Sequence, residues 1–220
     1  MLVLALDTAT PTLVVGLAEV TSLYRDGALV LPAERTVEVL AERALPSGNR
    51  HAELLTPAVR EVLDEAGVTM SAVGAIVVGL GPGPYTGLRV GIVTAAAFGD
   101  ALDTVVYGVC SLDAVGSGAR SVVTDARRKE VHWATYDDAG QRLTGPGVDR
   151  PEDAPLTDPV VGDVRFADRL GREVTAADVT TAGLVRAASP LFDRPPAPLE
   201  PLYLRRPDAV PNVTRKAVSQ

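Results

Sequence analysis

Asp7 ends an apolar run over residues 2–6, and a second apolar run begins at Thr12 after only Thr8, Ala9, Thr10 and Pro11. A carboxylate at a strand end beside a tight turn suits phosphate binding when glycines let backbone N–H groups converge on the anion. Here Ala9 stands where a glycine would help, and Pro11 removes a donor. The scaffold of a phosphate turn at Asp7 and Thr8 is present, with its cradle degraded. Asp125 ends another apolar stretch and is followed by Ala126, Arg127, Arg128 and Lys129, again without glycine. Three cations could meet phosphate or RNA, but a solvated turn between two strands accounts for them better.

Other chemistries fail on residue type or spacing. The two histidines are His51 and His132, and a helical metal pair would need a second histidine four residues after His51, where Leu55 stands. Cys110 is the single cysteine, which rules out an intrachain disulfide and a cysteine-based zinc cluster, and no base lies near it in sequence. The stretch Gly81-Pro82-Gly83-Pro84-Tyr85-Thr86-Gly87-Leu88-Arg89 has no lysine after its last glycine and lacks the dinucleotide spacing. The expectation is a nucleotide-type scaffold with no catalytic residue, no metal and no cofactor of its own.

The elements that would position these residues follow from periodicity. Residues 2–6 and 12–17 read as two buried strands, with one or two more between residues 27 and 39 and a loop at Pro46, Ser47 and Gly48. Leu54, Leu55, Val59, Val62, Leu63 and Ala66 recur at helical spacing over residues 50–66, and Gly67 stands at the C-cap position. A strand over residues 75–80 feeds the glycine-proline loop, and a helix is expected over residues 88–102. Gly87, Gly91, Ala95 and Gly99 form a stripe of small residues along that helix, which permits close approach by the chain's own sheet or by a partner. Residues 105–109 read as a strand, and residues 121–124 with 131–136 as a strand pair, so the chain shows a weakened second pass of its first half. Residues 145–159 and 190–211 read as turn-rich or extended, and the end as a disordered tail.

At 220 residues, 46% hydrophobic and 22% charged, the chain can build a core in one large or two small lobes. Its formal charge is −7, with 21 basic against 28 acidic residues, which disfavours autonomous binding to a phosphate backbone. The N-terminal apolar run has no basic residue before it and stops at Asp7, so neither a targeting nor a membrane segment is expected. A reducing, cytoplasmic setting suits the single cysteine.

Three stretches taken together, residues 4–10, residues 51–55 and residues 79–91, resemble the TsaB family, the dimerisation subunit of the bacterial tRNA threonylcarbamoyladenosine machinery. Residues 123–127 and Pro201-Leu202-Tyr203-Leu204-Arg205 are similar to its second-lobe and C-terminal patterns. The resemblance implies an α/β fold of two actin-like ATPase (ribonuclease H-like) lobes: a first over residues 1–107, a reduced second over 108–206, and a tail over 207–220. It also implies a TsaD-like catalytic partner, a TsaE-like ATPase, a possible homodimer when free, and tRNA reached indirectly through the complex. Leu55 departs from the His-x-x-x-His pattern of the catalytic relative, which implies a non-catalytic subunit. The partner surface is then expected at His51, Leu55, Val59, Val62, Gly87, Gly91, Ala95 and Gly99. The rival readings are a small ATPase or kinase with diverged phosphate loops, and a glycoprotease-like metallopeptidase.

Overall fold

The computed structural model describes residues 1–22, 24–25, 28–29, 35–48 and 50–204. The tail expected over 207–220, Arg205, and most of residues 26–34 lie outside those residues.

Two five-stranded sheets share one strand order. In the first, β1 (Leu2–Asp7) pairs antiparallel with β2 (Thr12–Ser22). Beyond β2 lies β5 (Arg35–Pro46), and the two-residue strands β3 (Tyr24–Arg25) and β4 (Ala28–Leu29) pair apart from it. On its other side β1 pairs parallel with β6 (Ala75–Gly79), which pairs parallel with β7 (Val105–Val109). The order is thus β5-β2-β1-β6-β7. The second sheet consists of β8 (Arg120–Asp125), β9 (Val131–Tyr136), β10 (Arg142–Asp149), β11 (Val160–Gly162) and β12 (Val174–Ala176). Its order, β10-β9-β8-β11-β12, carries the same pattern of antiparallel and parallel pairs.

The second lobe is the reduced copy. In the first, helix α1 (His51–Ala66) precedes β6 and helix α2 (Tyr85–Leu102) links β6 to β7. Their places in the second are taken by a single 3₁₀ turn at Pro151–Asp153 and by a short helix, α3 (Ala167–Leu170). Gly67 caps α1 in the left-handed conformation at φ 65°, as its position implies.

Both faces of the first sheet are covered, which explains the unbroken apolar runs. Leu4, Leu6, Val15 and Ile76 pack against Leu55, Val59 and Val62 of α1 and Leu88 and Ile92 of α2. Val3, Ala5, Val14 and Val77 face the other way, in a cluster with Leu184 and Val185 of helix α4 (Thr181–Ala188) and Val122, Ala134 and Tyr136 of the second sheet. One core therefore crosses both sheets. The boundary expected after Tyr107 falls inside β7, whose Gly108 and Val109 stay paired with Val78 and Gly79.

Two strands differ from the sequence reading for one reason. β5 runs on to Pro46, and β10 occupies residues expected to be turn-rich, because both are edge strands. Edge strands tolerate charge, glycine and proline that would break a central strand. β10 carries Gly145, Pro146 and Gly147, with register shifts on both sides of Thr144.

Candidate functional site

Asp7 sits at the C-terminal end of β1 and is completely buried. Its Oδ1 accepts the Ala9 N–H at 2.9 Å and its Oδ2 accepts the Ser111 hydroxyl at 2.5 Å. Ser111 Oγ in turn accepts the Gly81 N–H at 3.2 Å. Burial outweighs these bonds and pushes the Asp7 carboxyl up from 3.8 to about 6. The carboxylate ties the ends of β1, β6 and β7 together. Gly79 makes this possible, since a Cβ there would lie 1.8 Å from Asp7 Oδ2.

Thr8 is equally buried and donates its hydroxyl to the Gly87 carbonyl at 2.8 Å. The glycine-proline loop lies on the first turn, so close that a Cβ on Gly83 would stand 2.3 Å from the Ala9 carbonyl oxygen. His51 Nε2 is 3.0 Å from both the Thr10 carbonyl and Ser47 Oγ. Because the Ser47 hydroxyl donates to the Pro11 carbonyl at 2.9 Å, both neighbours of Nε2 are acceptors. This network assigns the proton to Nε2, which leaves no lone pair there for a metal.

Asp125 ends β8 at the position matching Asp7, in different surroundings. Its Oδ1 accepts the Arg127 N–H at 2.7 Å, and Arg165 Nη2 lies 3.5 Å from Oδ2. Arg165 is held more closely by Asp163, through both of its carboxylate oxygens. On the neighbouring strand, burial pushes His132 down from 6.5 to about 4, with Asp125 opposing the shift. A cleft of about 290 Å³ runs from Thr10 and Pro11 to Asp125, Asp163, Arg165 and Asp178. Three carboxylates face one guanidinium already engaged, a poor field for nucleotide phosphates. No group of three or more His, Cys, Asp or Glu side chains among the described residues could hold a metal ion.

The residues expected at a partner surface need correction. His51, Leu55, Val59, Val62, Gly91, Ala95 and Gly99 are buried by the chain itself, and Gly87 is half-buried. The small-residue stripe accommodates the first turn and the sheet: Cβ atoms on Gly87 and Gly91 would lie 2.7 Å from the Thr8 carbonyl oxygen and 2.4 Å from its hydroxyl, and one on Gly99 would lie 2.4 Å from Val106. The opposite faces of the same helices are open. There Val93 is 65% exposed and Tyr85 48% exposed. A surface hollow of about 470 Å³ joins Tyr85, Arg89, Val90 and Val93 to Ala52 of α1. Tyr203 closes one end of this face, its ring 4.9 Å from that of Tyr85, with Arg89 stacked 3.9 Å over Tyr85. The Leu202 N–H bonds the Leu80 carbonyl at 2.8 Å, which brings the C-terminal segment there. The legible signal was that α2 carries apolar residues on every side, so its outer face also calls for cover.

A family profile described as TsaD, tRNA N6-adenosine threonylcarbamoyltransferase, matches residues 39–192. An uncharacterised protein of Mycobacterium tuberculosis is 45% identical over 218 residues, covering 95% of this chain and 94% of its own. The tRNA threonylcarbamoyladenosine biosynthesis protein TsaB of Escherichia coli is 30% identical over 144 residues, 62% of this chain and 55% of its own. Among solved structures, YeaZ from Pseudomonas aeruginosa superposes with a TM-score of 0.68 at 28% identity, covering 92% of this chain and 99% of that one. Strand order and likeness together define a duplicated, two-lobed α/β protein with an actin-like, ribonuclease H-like fold. The chain belongs to the TsaD/TsaB family, on the side of its TsaB-named relatives.

Proposed function

We propose that this chain is a non-catalytic subunit of a cytoplasmic complex that forms threonylcarbamoyladenosine in tRNA, holding a TsaD-like catalytic subunit through the outer faces of α1 and α2. The observation that carries this reading is the exposure of Val93 and Tyr85, beside half-buried Val90, on a helix whose other side is already packed. The names of the TsaB relatives supply the pathway. The reading includes a TsaE-like ATPase as a further member, tRNA met through the complex, and no cofactor or metal of its own. A homodimer of the free chain would use the same apolar face and would exchange for the catalytic partner. No helix among the described residues is long and apolar enough to cross a membrane.

The ATPase reading is weakened by the sealed Asp7 turn and the acidic cleft, and the metallopeptidase reading by the engaged His51. The test is Val93→Arg. The side chain is exposed, so the variant should melt within a degree or two of the parent, yet retain less than about a tenth of its affinity for the TsaD-like subunit. Threonylcarbamoyladenosine content of tRNA should fall in parallel in cells relying on the variant. A folded Val93→Arg chain that co-purifies normally with that subunit would overturn the proposed surface.

A further inference from the structure

A further concavity lies between the 3₁₀ turn after β7, the start of β8, the turn joining β9 to β10, and α4, and it shares no lining residue with the cleft at the first turn or with the hollow on α1 and α2. It has a volume of about 400 Å³ and is lined by Asp113, Arg120, Arg142 and Arg186 and by the turn Gly116-Ser117-Gly118. This is within the ordinary range for small-molecule sites. In a chain of net charge −7, its wall carries three guanidiniums against one carboxylate.

The guanidinium at its floor is held in place. Arg120 is 3% exposed, and its Nε, Nη1 and Nη2 donate to the carbonyls of Val115, Gly118 and Asp113 at 2.6, 2.8 and 3.3 Å. Its plane stacks 4.0 Å from the Tyr136 ring. Three of its five N–H donors are thereby used, and two remain. No carboxylate lies within ion-pair distance of it among the described residues. The one carboxylate nearby is otherwise engaged, Asp113 Oδ1 accepting the Tyr136 hydroxyl at 2.9 Å with Arg142 Nη1 at 3.6 Å. The side chain of Arg186, exposed on α4, makes neither a hydrogen bond nor an ion pair among the described residues. A buried cation whose counter-charge is shared elsewhere is costly unless something anionic completes it. Gly116 and Gly118, both at φ 69°, keep the rim low, with only the Ser117 side chain between them.

We propose that this pocket binds an oxyanion of the phosphate class, either a small phosphomonoester or a phosphodiester of an RNA strand. Arg186 and Arg142 contact the anion at the mouth, and the preset Arg120 fork contacts it from the floor. Burial also holds the Arg120 guanidinium below its usual range, consistent with a cation short of counter-charge.

The experiment titrates the full-length chain by calorimetry with inorganic phosphate, AMP and a short single-stranded RNA, at about 50 and about 200 mM salt. Arg186→Glu should weaken binding at least about tenfold, while Arg150→Glu, an equal charge change at the exposed end of β10, leaves it unchanged. Both positions are exposed, and matched melting curves verify folding. RNA binding more tightly than AMP with a steep salt dependence assigns the site to a strand; AMP or phosphate binding as well as RNA assigns it to a small phosphate. Either result upholds the pocket. Absence of binding by every probe to the parent chain, or equal loss in Arg186→Glu and Arg150→Glu, would overturn it.

Discussion

Asp7 and Asp125 occupy equivalent places: each ends the central strand of a five-stranded sheet, beside a parallel neighbour that ends in glycine, Gly79 in one and Gly162 in the other. Their surroundings have diverged completely. Asp7 is sealed by Ser111, Ala9 and the glycine-proline loop, and has become a buried tie between strand ends. Asp125 stays at the rim of an open cleft, among arginines. Duplication of a sheet reproduces the position of a carboxylate but not its chemistry, because the chemistry belongs to the loops that close over it. The first lobe kept both long helices and the loop before α2. The second kept short substitutes and left its carboxylate open.

The largest expected effect tests the seal. Gly79→Ala would drive a Cβ to 1.8 Å from Asp7 Oδ2 and should destabilise the chain by about 3 kcal/mol or more. If the carboxylate is the obstacle, the pair Asp7→Ala and Gly79→Ala should cost less together than the sum, by at least about 1 kcal/mol. Gly162→Ala is also severe, with φ 126° and the Val123 carbonyl oxygen 2.0 Å from the new Cβ, but Asp125 plays no part in that clash. The pair Asp125→Ala and Gly162→Ala should therefore be additive. Denaturant unfolding of the four single and two double variants decides whether the two glycines differ in this way.

A pH titration of stability separates the lobes by sign. Asp7 titrates at about 6 when folded and at 3.8 when not, so the folded state binds more protons between those values. The pH-dependent part of its contribution is complete below about pH 4 and lost as pH rises through 6, a change of about 3 kcal/mol. His132 runs the other way, from 6.5 down to about 4, so its contribution is complete above about pH 6.5 and lost as pH falls through 4. Over the shared window the two slopes oppose each other. Asp7→Asn should expose stability that rises with pH, and His132→Gln stability that falls with it. Slopes unchanged from the parent in both variants would mean that neither burial has the assigned consequence.

What the sequence made legible follows the same division. The buried strands, α1 with its Gly67 cap, and the loss of a phosphate cradle at Thr8-Ala9-Thr10 could be read because central strands and amphipathic helices write their burial into residue type. β10, β11 and β12 could not, being edge strands or three residues long, too short for a period to show. The small-residue stripe was visible, but spacing cannot tell which backbone it meets. The structure gives the answer, Thr8 and Val106 of the same chain. Arg120 was invisible for a related reason: an arginine beginning a strand reads as a solvated end, and only the fold brings three carbonyls to it.

The smallest expected effect is at Asp125, and it is the sharpest check on the contrast. Replacing Asp7 by alanine would leave the Ser111 hydroxyl and the Ala9 N–H without an acceptor in a fully buried site, at about 1–3 kcal/mol for each group. Replacing Asp125 removes the acceptor of the Arg127 N–H and a distant share of Arg165, whose better partner is Asp163. Water can reach both groups, so screening leaves little to lose. The turn in which Arg127, Arg128 and Lys129 take positive φ in succession, at 64°, 53° and 66°, is also closed by two backbone bonds, from the Ala126 N–H to the Glu130 carbonyl and from the Glu130 N–H to the Arg127 carbonyl. Such backbone is strained in non-glycine residues, but the two backbone bonds do not depend on the Asp125 side chain and keep the turn closed in the variant. Asp125→Ala should therefore change stability by less than about 1 kcal/mol at neutral pH, while Asp7→Ala costs at least about 2. Equal losses at the two positions would mean that the second turn is as closed as the first, and the contrast between the lobes would fall.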